Sequence, residues 1–331
     1  MGRKTKAGFD ARQYEVLAAV YAKEGTQVSS DMVGGYRTKT TRAGDCLYLD
    51  CYPLIGREAR AEQETALKEL KQSRDRKVQM KYARYNNARR VRAFDQLTET
   101  NFGRNDLHVS CTYERDNLDL GKYGRGEYRS REDAKRDMRN YINRIRRLLK
   151  RHGCSLDEFR WVVVTVTKEC DPESRDPLPP AHHHHMLMHG VPEELRGEVE
   201  RLWPFGFCNA DRIQPGDASL SALSGYVARQ EGRANGDHAY REKAFTASRN
   251  IIRPTTTTSD TKISKRRVMQ IAADVRANAE EIFARIYPEY RLAETPKIMH
   301  SDFVAGAYMW VKLIKKTRGA DNRQRRKGGR G

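Results

Sequence analysis

Two adjoining segments restrict the folds open to this chain. Residues 159–168, FRWVVVTVTK, are a β-branched apolar run that suits a central strand, because Val and Thr pack well on a buried pleated surface. DPESRDPLPP follows, with four prolines in ten residues, and can form neither helix nor ladder, since proline fixes φ and lacks the N–H. It must be a loop. The chain then reads AHHHHMLMHG, whose apolar stretch is short enough for a strand rather than a helix. Two strands joined by one loop are expected to lie side by side and antiparallel.

The flanks extend this pattern. LHVSCTY at 107–113 alternates, placing Leu107, Val109, Cys111 and Tyr113 on one side of a half-buried strand. SRED at 130–133 supplies a Ser N-cap and an acid three residues on. It opens DAKRDMRNYINRIRRLLKRHG, where Met138, Tyr141, Ile142, Ile145, Leu148 and Leu149 recur at helical spacing. PEELRGEVERLW (192–203) begins as a helix should, and FCNADRIQ (207–214) can make another strand. GDASLSALSGYVARQ (216–230) puts Leu220, Leu223 and Val227 on one helical face. The order β, α, β, β, α, β, α predicts an α+β fold, an open antiparallel sheet with helices on one face.

This core is expected over residues 101–253. Residues 1–100 are expected to form a basic N-terminal region, with a β-like block GDCLYLDCYPLI (44–55) and a long helical segment from Arg57 to Phe94 that contains neither Gly nor Pro. Its end, KYARYNNARRVRAF, mixes cations with Tyr82, Tyr85 and Phe94, which suits either phosphate contact and base stacking or a solvated helix face. Residues 254–315 are expected to be a C-terminal helical extension: TTTTSDT as loop, then KRRVMQIAADVRANAEEIFARIY and DFVAGAYMWVKLIKK as helices. Residues 316–331 read as a basic disordered tail.

A formal charge of +19 points to a polyanionic partner, nucleic acid first. No apolar run approaches the ~18–20 residues needed to span a bilayer, and the N-terminus lacks an apolar signal core, so no membrane partner and a cytoplasmic location are expected. Six cysteines contain no C-x-x-C pair and read as ordinary buried thiols rather than a zinc ribbon or disulfide framework.

In a strand, residues two apart share a face. His183 and His185 can therefore hold one ion between them, with His182 and His184 pointing the other way; a polar strand edge is the plainer role for the same residues. Tyr226, on the expected helix over 216–230, has Arg229 and Gln230 one turn later. A phenol beside a guanidinium could attack a phosphodiester, or Tyr226 could be a core aromatic.

LHVSCTY, HHHHMLMHG and YVARQ, in this order, resemble the three motifs of the HUH rolling-circle replication initiators. GYRTKTTRAGD, NFGRNDLHVSCTY, LWPFGFCNADRIQP and SRNIIRP are similar to segments of replication-associated proteins of bacterial plasmids and phages, so the likeness spans roughly residues 34 to 315. It implies an HUH endonuclease core, ferredoxin- or RRM-like, that nicks single-stranded or hairpin origin DNA through a 5′-phosphotyrosine and frees a 3′-hydroxyl primer. Tyr226 matches the nucleophile, Arg229 the cation that follows it, usually Lys, and His183 and His185 the metal-binding pair. The residue between them is His184 instead of an aliphatic one, which leaves the pairs 183/185 and 182/184 both open. The resemblance also implies a third, polar ligand on the neighbouring strand, for which Glu169 is placed best. Imidazole and carboxylate donors suit Mn²⁺ or Zn²⁺ and the family uses Mg²⁺ or Mn²⁺, so Mn²⁺ meets both. No G-x-x-x-x-G-K-[ST] occurs, which assigns unwinding to a host helicase and extension to a host polymerase. A relaxase or single-strand transposase would use the same chemistry, and a non-catalytic nucleic-acid binder with structural zinc would use none of it.

Overall fold

The computed structural model describes residues 15–21, 33–113, 130–168, 181–214, 220, 225, 245–301 and 304–316. In chain order the strands are β1 (Val33–Ala43), β2 (Cys46–Ile55), β3 (Leu107–Thr112), β4 (Arg160–Lys168), β5 (Ala181–His189), β6 (Cys208–Arg212), β7 (Thr246–Ala247), β8 (Thr255–Ser259), β9 (Tyr290–Leu292), β10 (Lys297–Ser301) and β11 (Val304–Lys315). The helices are α1 (Arg57–Gln72), α2 (Arg76–Asn101), α3 (Arg131–Arg151), α4 (Arg196–Arg201), α5 (Lys265–Ala273) and α6 (Val275–Ile286). The protein is α+β with antiparallel sheets, and the chain divides into two compact units, residues 1–89 with 254–331 and residues 90–253.

In the first unit the sheet runs β10-β11-β2-β1-β8, with β9 also paired to β11. Gly44, at φ 56°, turns β1 into β2 so that Ala43 pairs with Cys46. Both faces of the sheet are covered. Tyr48, Tyr52, Tyr308 and Trp310 pack with Leu17 and with Leu67 and Leu70 of α1; Leu49, Met309, Val311 and Leu313 pack with Ile271 of α5 and Phe283 of α6. Asp50 is buried within the sheet, where the Tyr308 hydroxyl donates to it at 2.7 Å and the Lys39 ammonium lies 3.6 Å away.

This unit corrects five expectations. DFVAGAYMWVKLIKK is a strand over 304–315 instead of a helix, and TTTTS pairs with β1 as β8 instead of looping. Residues 254–316 therefore complete the sheet begun by β1 and β2 and do not form a separate helical extension. A strand apolar on both faces carries neither alternation nor a helical stripe, so periodicity alone misassigns it. The segment 57–94 is broken at 73–75, where the Asp75 carboxylate accepts from Lys77 N at 2.7 Å and Asp75 N donates to Ser73 Oγ at 3.2 Å. These short side chains compete for backbone groups that a continuous helix would use itself. The long run after Ser264 is likewise divided by Asp274, which caps α6 through Ala277 N at 3.0 Å. The tail beyond residue 316 lies outside the described residues.

Gly306, at φ +77°, lies against Tyr36: an added Cβ would sit 2.6 Å from Tyr36 Oη and 2.9 Å from Val33 Cγ2. The same hydroxyl accepts from Ala307 N at 2.9 Å. Gly306→Ala is therefore expected to cost at least ~2 kcal/mol from the left-handed backbone and the overlap together, read as a shift in the urea midpoint.

In the second unit the sheet order is β6-β3-β5-β4-β7. Ser130 caps α3 through Asp133 N at 3.1 Å. The apolar face of α3, Met138, Tyr141, Ile145 and Leu149, packs with Val109, Val163 and Met186 and with Val199 of α4. The opposite sheet face is also covered: Val162, Val164 and Leu187 meet Phe94 and Leu97 of α2 together with Leu220. An open sheet with all of its helices on one side was the expectation; the end of α2 supplies the second layer.

Candidate functional site

The histidine tract is on β5, the middle strand of the second sheet, between β3 and β4. Its register pairs His185 with Ser110 and Val164, and His184 with Cys111 and Thr165. Alternation then divides the four imidazoles. His184, fully buried, is on the face of Met186 and Met188. There its Nε2 lies 3.2 Å from the Tyr113 hydroxyl and its Nδ1 3.0 Å from Thr165 Oγ1, with Trp203 edge-on to the ring. With both nitrogens engaged by side chains and no solvent contact, His184 is a structural residue.

His183 and His185 are on the other face. Their rings meet edge to face with centroids 5.2 Å apart, and His185 also stacks on His108 of β3 at 5.4 Å. His185 Nδ1 lies 3.2 Å from His108 Nε2 and 3.2 Å from Ser110 Oγ. A proton on Nδ1 is the tautomer that leaves the Nε2 lone pair to a metal ion. Asp211 of β6 is the register partner of His108.

Sequence reasoning did not single out His108 and Ser110. The signal was the alternation in LHVSCTY, whose polar positions must share the face opposite Leu107 and Val109. Only the pairing of β3 with β5 sets them beside His185.

Burial keeps these imidazoles neutral. It pushes His185 down to about 4, helped by His108 and His183, and His184 down to about 3, helped by the neighbouring histidines. His108 is lowered by burial too, against the opposing pull of Asp211. A neutral imidazole is the form that ligates a metal, so His185 has the donor chemistry the expected ion requires, and His183 lies against it on the same face. Among the described residues, however, no group of three or more His, Cys, Asp or Glu side chains is assembled to hold one. Glu169, the expected third ligand, and Tyr226 and Arg229, the expected nucleophile and its cation, lie outside the described residues. Searches against models of protein families, curated proteins and solved structures find no match to this chain. No helix among the described residues is long and apolar enough to cross a membrane.

Proposed function

We propose that the chain is a metal-dependent single-stranded DNA endonuclease and strand transferase of the HUH type that initiates rolling-circle replication. The observation that carries this reading is the segregation of the tract by β5 pleating: His184 is enclosed in the core, while His183 and the neutral His185 lie together on the other face, His185 beside His108 and Ser110. His183 and His185 would hold the ion, Mn²⁺ or Mg²⁺, with Glu169 as the third ligand. When bound, the ion supplies polarisation of a non-bridging phosphate oxygen and neutralises charge built up in the transition state.

The protein's own part is nucleophilic. The Tyr226 phenol attacks phosphorus in line, forming the tyrosyl O–P bond while the bond to the 3′ oxygen breaks and that oxygen takes up a proton. The product is a 5′-phosphotyrosine and a 3′-hydroxyl that can prime a polymerase. A phenol has a pKa of ~10, so little phenolate exists at neutral pH, and the Arg229 guanidinium favours that form and steadies the scissile phosphate. The ester conserves the bond energy for rejoining without ATP.

The test is a labelled single-stranded origin oligonucleotide incubated with the full chain and Mn²⁺ and run on a denaturing gel. A covalent protein–DNA band that Tyr226→Phe abolishes is expected. Absence of the band with the wild-type chain, or its persistence in Tyr226→Phe, overturns the reading. Copying of an origin plasmid in cells, set against transfer or excision, separates a replication initiator from a relaxase or transposase.

Residues 76–92 of α2 carry seven Lys or Arg and no acid, and Arg76, Lys77, Lys81, Arg84 and Arg89 are exposed. A row of exposed cations on one helix is suited to phosphates. Replacing Lys77, Lys81 and Arg84 with Gln is expected to weaken binding equally across DNA sequences. It should also flatten the plot of log affinity against log salt by ~0.7–0.9 for each phosphate that is no longer neutralised.

A further inference from the structure

We propose that Cys111 and Cys208 are a redox-modification site, forming a reversible disulfide that ties the edge strand β6 to β3. The two residues are direct register partners on these antiparallel strands, and their sulfurs are 3.5 Å apart although 97 positions separate them in sequence. Thr112 N donates to Phe207 O at 2.9 Å, as Ile213 N does to Asp106 O. By the alternation of an antiparallel ladder, Cys111 and Cys208 therefore occupy a non-hydrogen-bonded pair. Such pairs bring Cα atoms to about 4.5 Å, within the ~4.4–6.8 Å span a disulfide bridges. Both thiols are free.

The surroundings give the two sulfurs different tasks. Cys111 is fully buried, whereas Cys208 is partly accessible at the sheet edge beside Phe207, which is 69% exposed. Hydrogen bonding from Cys111, and then from Tyr141 at 3.4 Å, lowers the Cys208 thiol, while burial raises that of Cys111. Cys208 is thus the sulfur that meets an oxidant and Cys111 the one that resolves the adduct. With a low-molecular-weight disulfide as oxidant, the Cys208 thiolate attacks one reagent sulfur and expels the other as a thiolate. That thiolate takes the proton of Cys111, which attacks the Cys208 sulfur and expels a second thiolate, and this one takes up the proton that Cys208 gave to solvent. Two protein thiols are oxidised and one disulfide is reduced to two thiols. Tyr141 keeps its hydrogen bond to Val199 O at 3.0 Å when Cys208 turns away, so the crosslink strands no buried hydroxyl. Because β3 carries His108 and Ser110 on its other face, the bridge holds the strand beneath the histidine pair.

The experiment treats the full chain with oxidised glutathione, blocks remaining thiols, digests without reduction and maps the peptides by mass. A peptide pair joined through Cys111 and Cys208, lighter by two hydrogens and separated by dithiothreitol, is expected, with a melting temperature raised by several degrees in the oxidised chain. Cys111→Ser should arrest the reaction as a glutathione adduct on Cys208, and Cys208→Ser should yield no joined pair. Should either variant fail to fold, the wild-type map alone decides. Recovery of Cys111 and Cys208 as blocked free thiols, a stable adduct on wild-type Cys208, or a crosslink to another cysteine overturns the proposal.

Discussion

His184→Ala is expected to lower stability by ~2–4 kcal/mol, whereas His183→Ala leaves the fold intact and abolishes metal-dependent cleavage. The first loss has two sources. Removing a fully buried ring leaves a cavity among Trp203, Tyr113 and the sheet. It also deprives the Tyr113 hydroxyl and Thr165 Oγ1 of their shared partner. Tyr113 retains Asp137 Oδ2 at 3.2 Å, which holds the penalty below that of a fully stranded network. His183 is only partly buried and its removal opens no enclosed cavity. His185 combines both characters, since it is 7% exposed and packed on His108, and His185→Ala should lose cleavage with an intermediate loss of stability. Urea unfolding and the gel assay on the same preparations separate these effects. Stable His182→Ala and His184→Ala proteins that lose cleavage, beside active His183→Ala and His185→Ala proteins, would move the metal to the other face of β5.

Acid is expected to unfold this protein well above the range where carboxylates titrate. His184 and His185 have folded-state values of about 3 and about 4, below the ~6.5 of an exposed imidazole. The unfolded chain therefore binds the additional protons as pH falls, and stability rises with pH throughout that window. The stabilisation is complete above the unfolded value and is lost as pH drops from ~6.5 toward 4. Each imidazole contributes a slope of ~1.4 kcal/mol per pH unit. The slope starts at half that value at pH 6.5, so the two together remove ~3 kcal/mol between pH 6.5 and 5, a large part of the ~5–15 kcal/mol typical of a folded domain. Urea titrations at pH 7, 6 and 5 measure this slope. A flat profile over that interval would show that neither imidazole is held neutral by burial.

How much of the fold was legible depended on whether a segment has one buried face or two. LHVSCT alternates because β3 sets apolar residues toward α3 and polar ones the other way, and α3 displays a single stripe behind a capping Ser. Both were readable. β11 was not, since Tyr308 and Trp310 serve one core while Met309 and Val311 serve another, which erases the period that distinguishes strand from helix. β8 was hidden differently: an exposed threonine run becomes a strand only because β1 offers it an edge.

The candidate site divides the same way. That His183 and His185 share a face follows from the two-residue period of any strand, and the amino-acid order alone determines it. Which pair takes the face of α3 and which the face of His108 and Ser110 does not follow from that order. It was decided by which face of β5 receives α3, and by the register that sets β3 against it. Cys111 and Cys208 were brought opposite each other by the same kind of cross-strand pairing, at a separation of 97 positions. Periodicity is a local property and survives in the sequence; contact between distant strands arises only when cores on both faces of a sheet select one register.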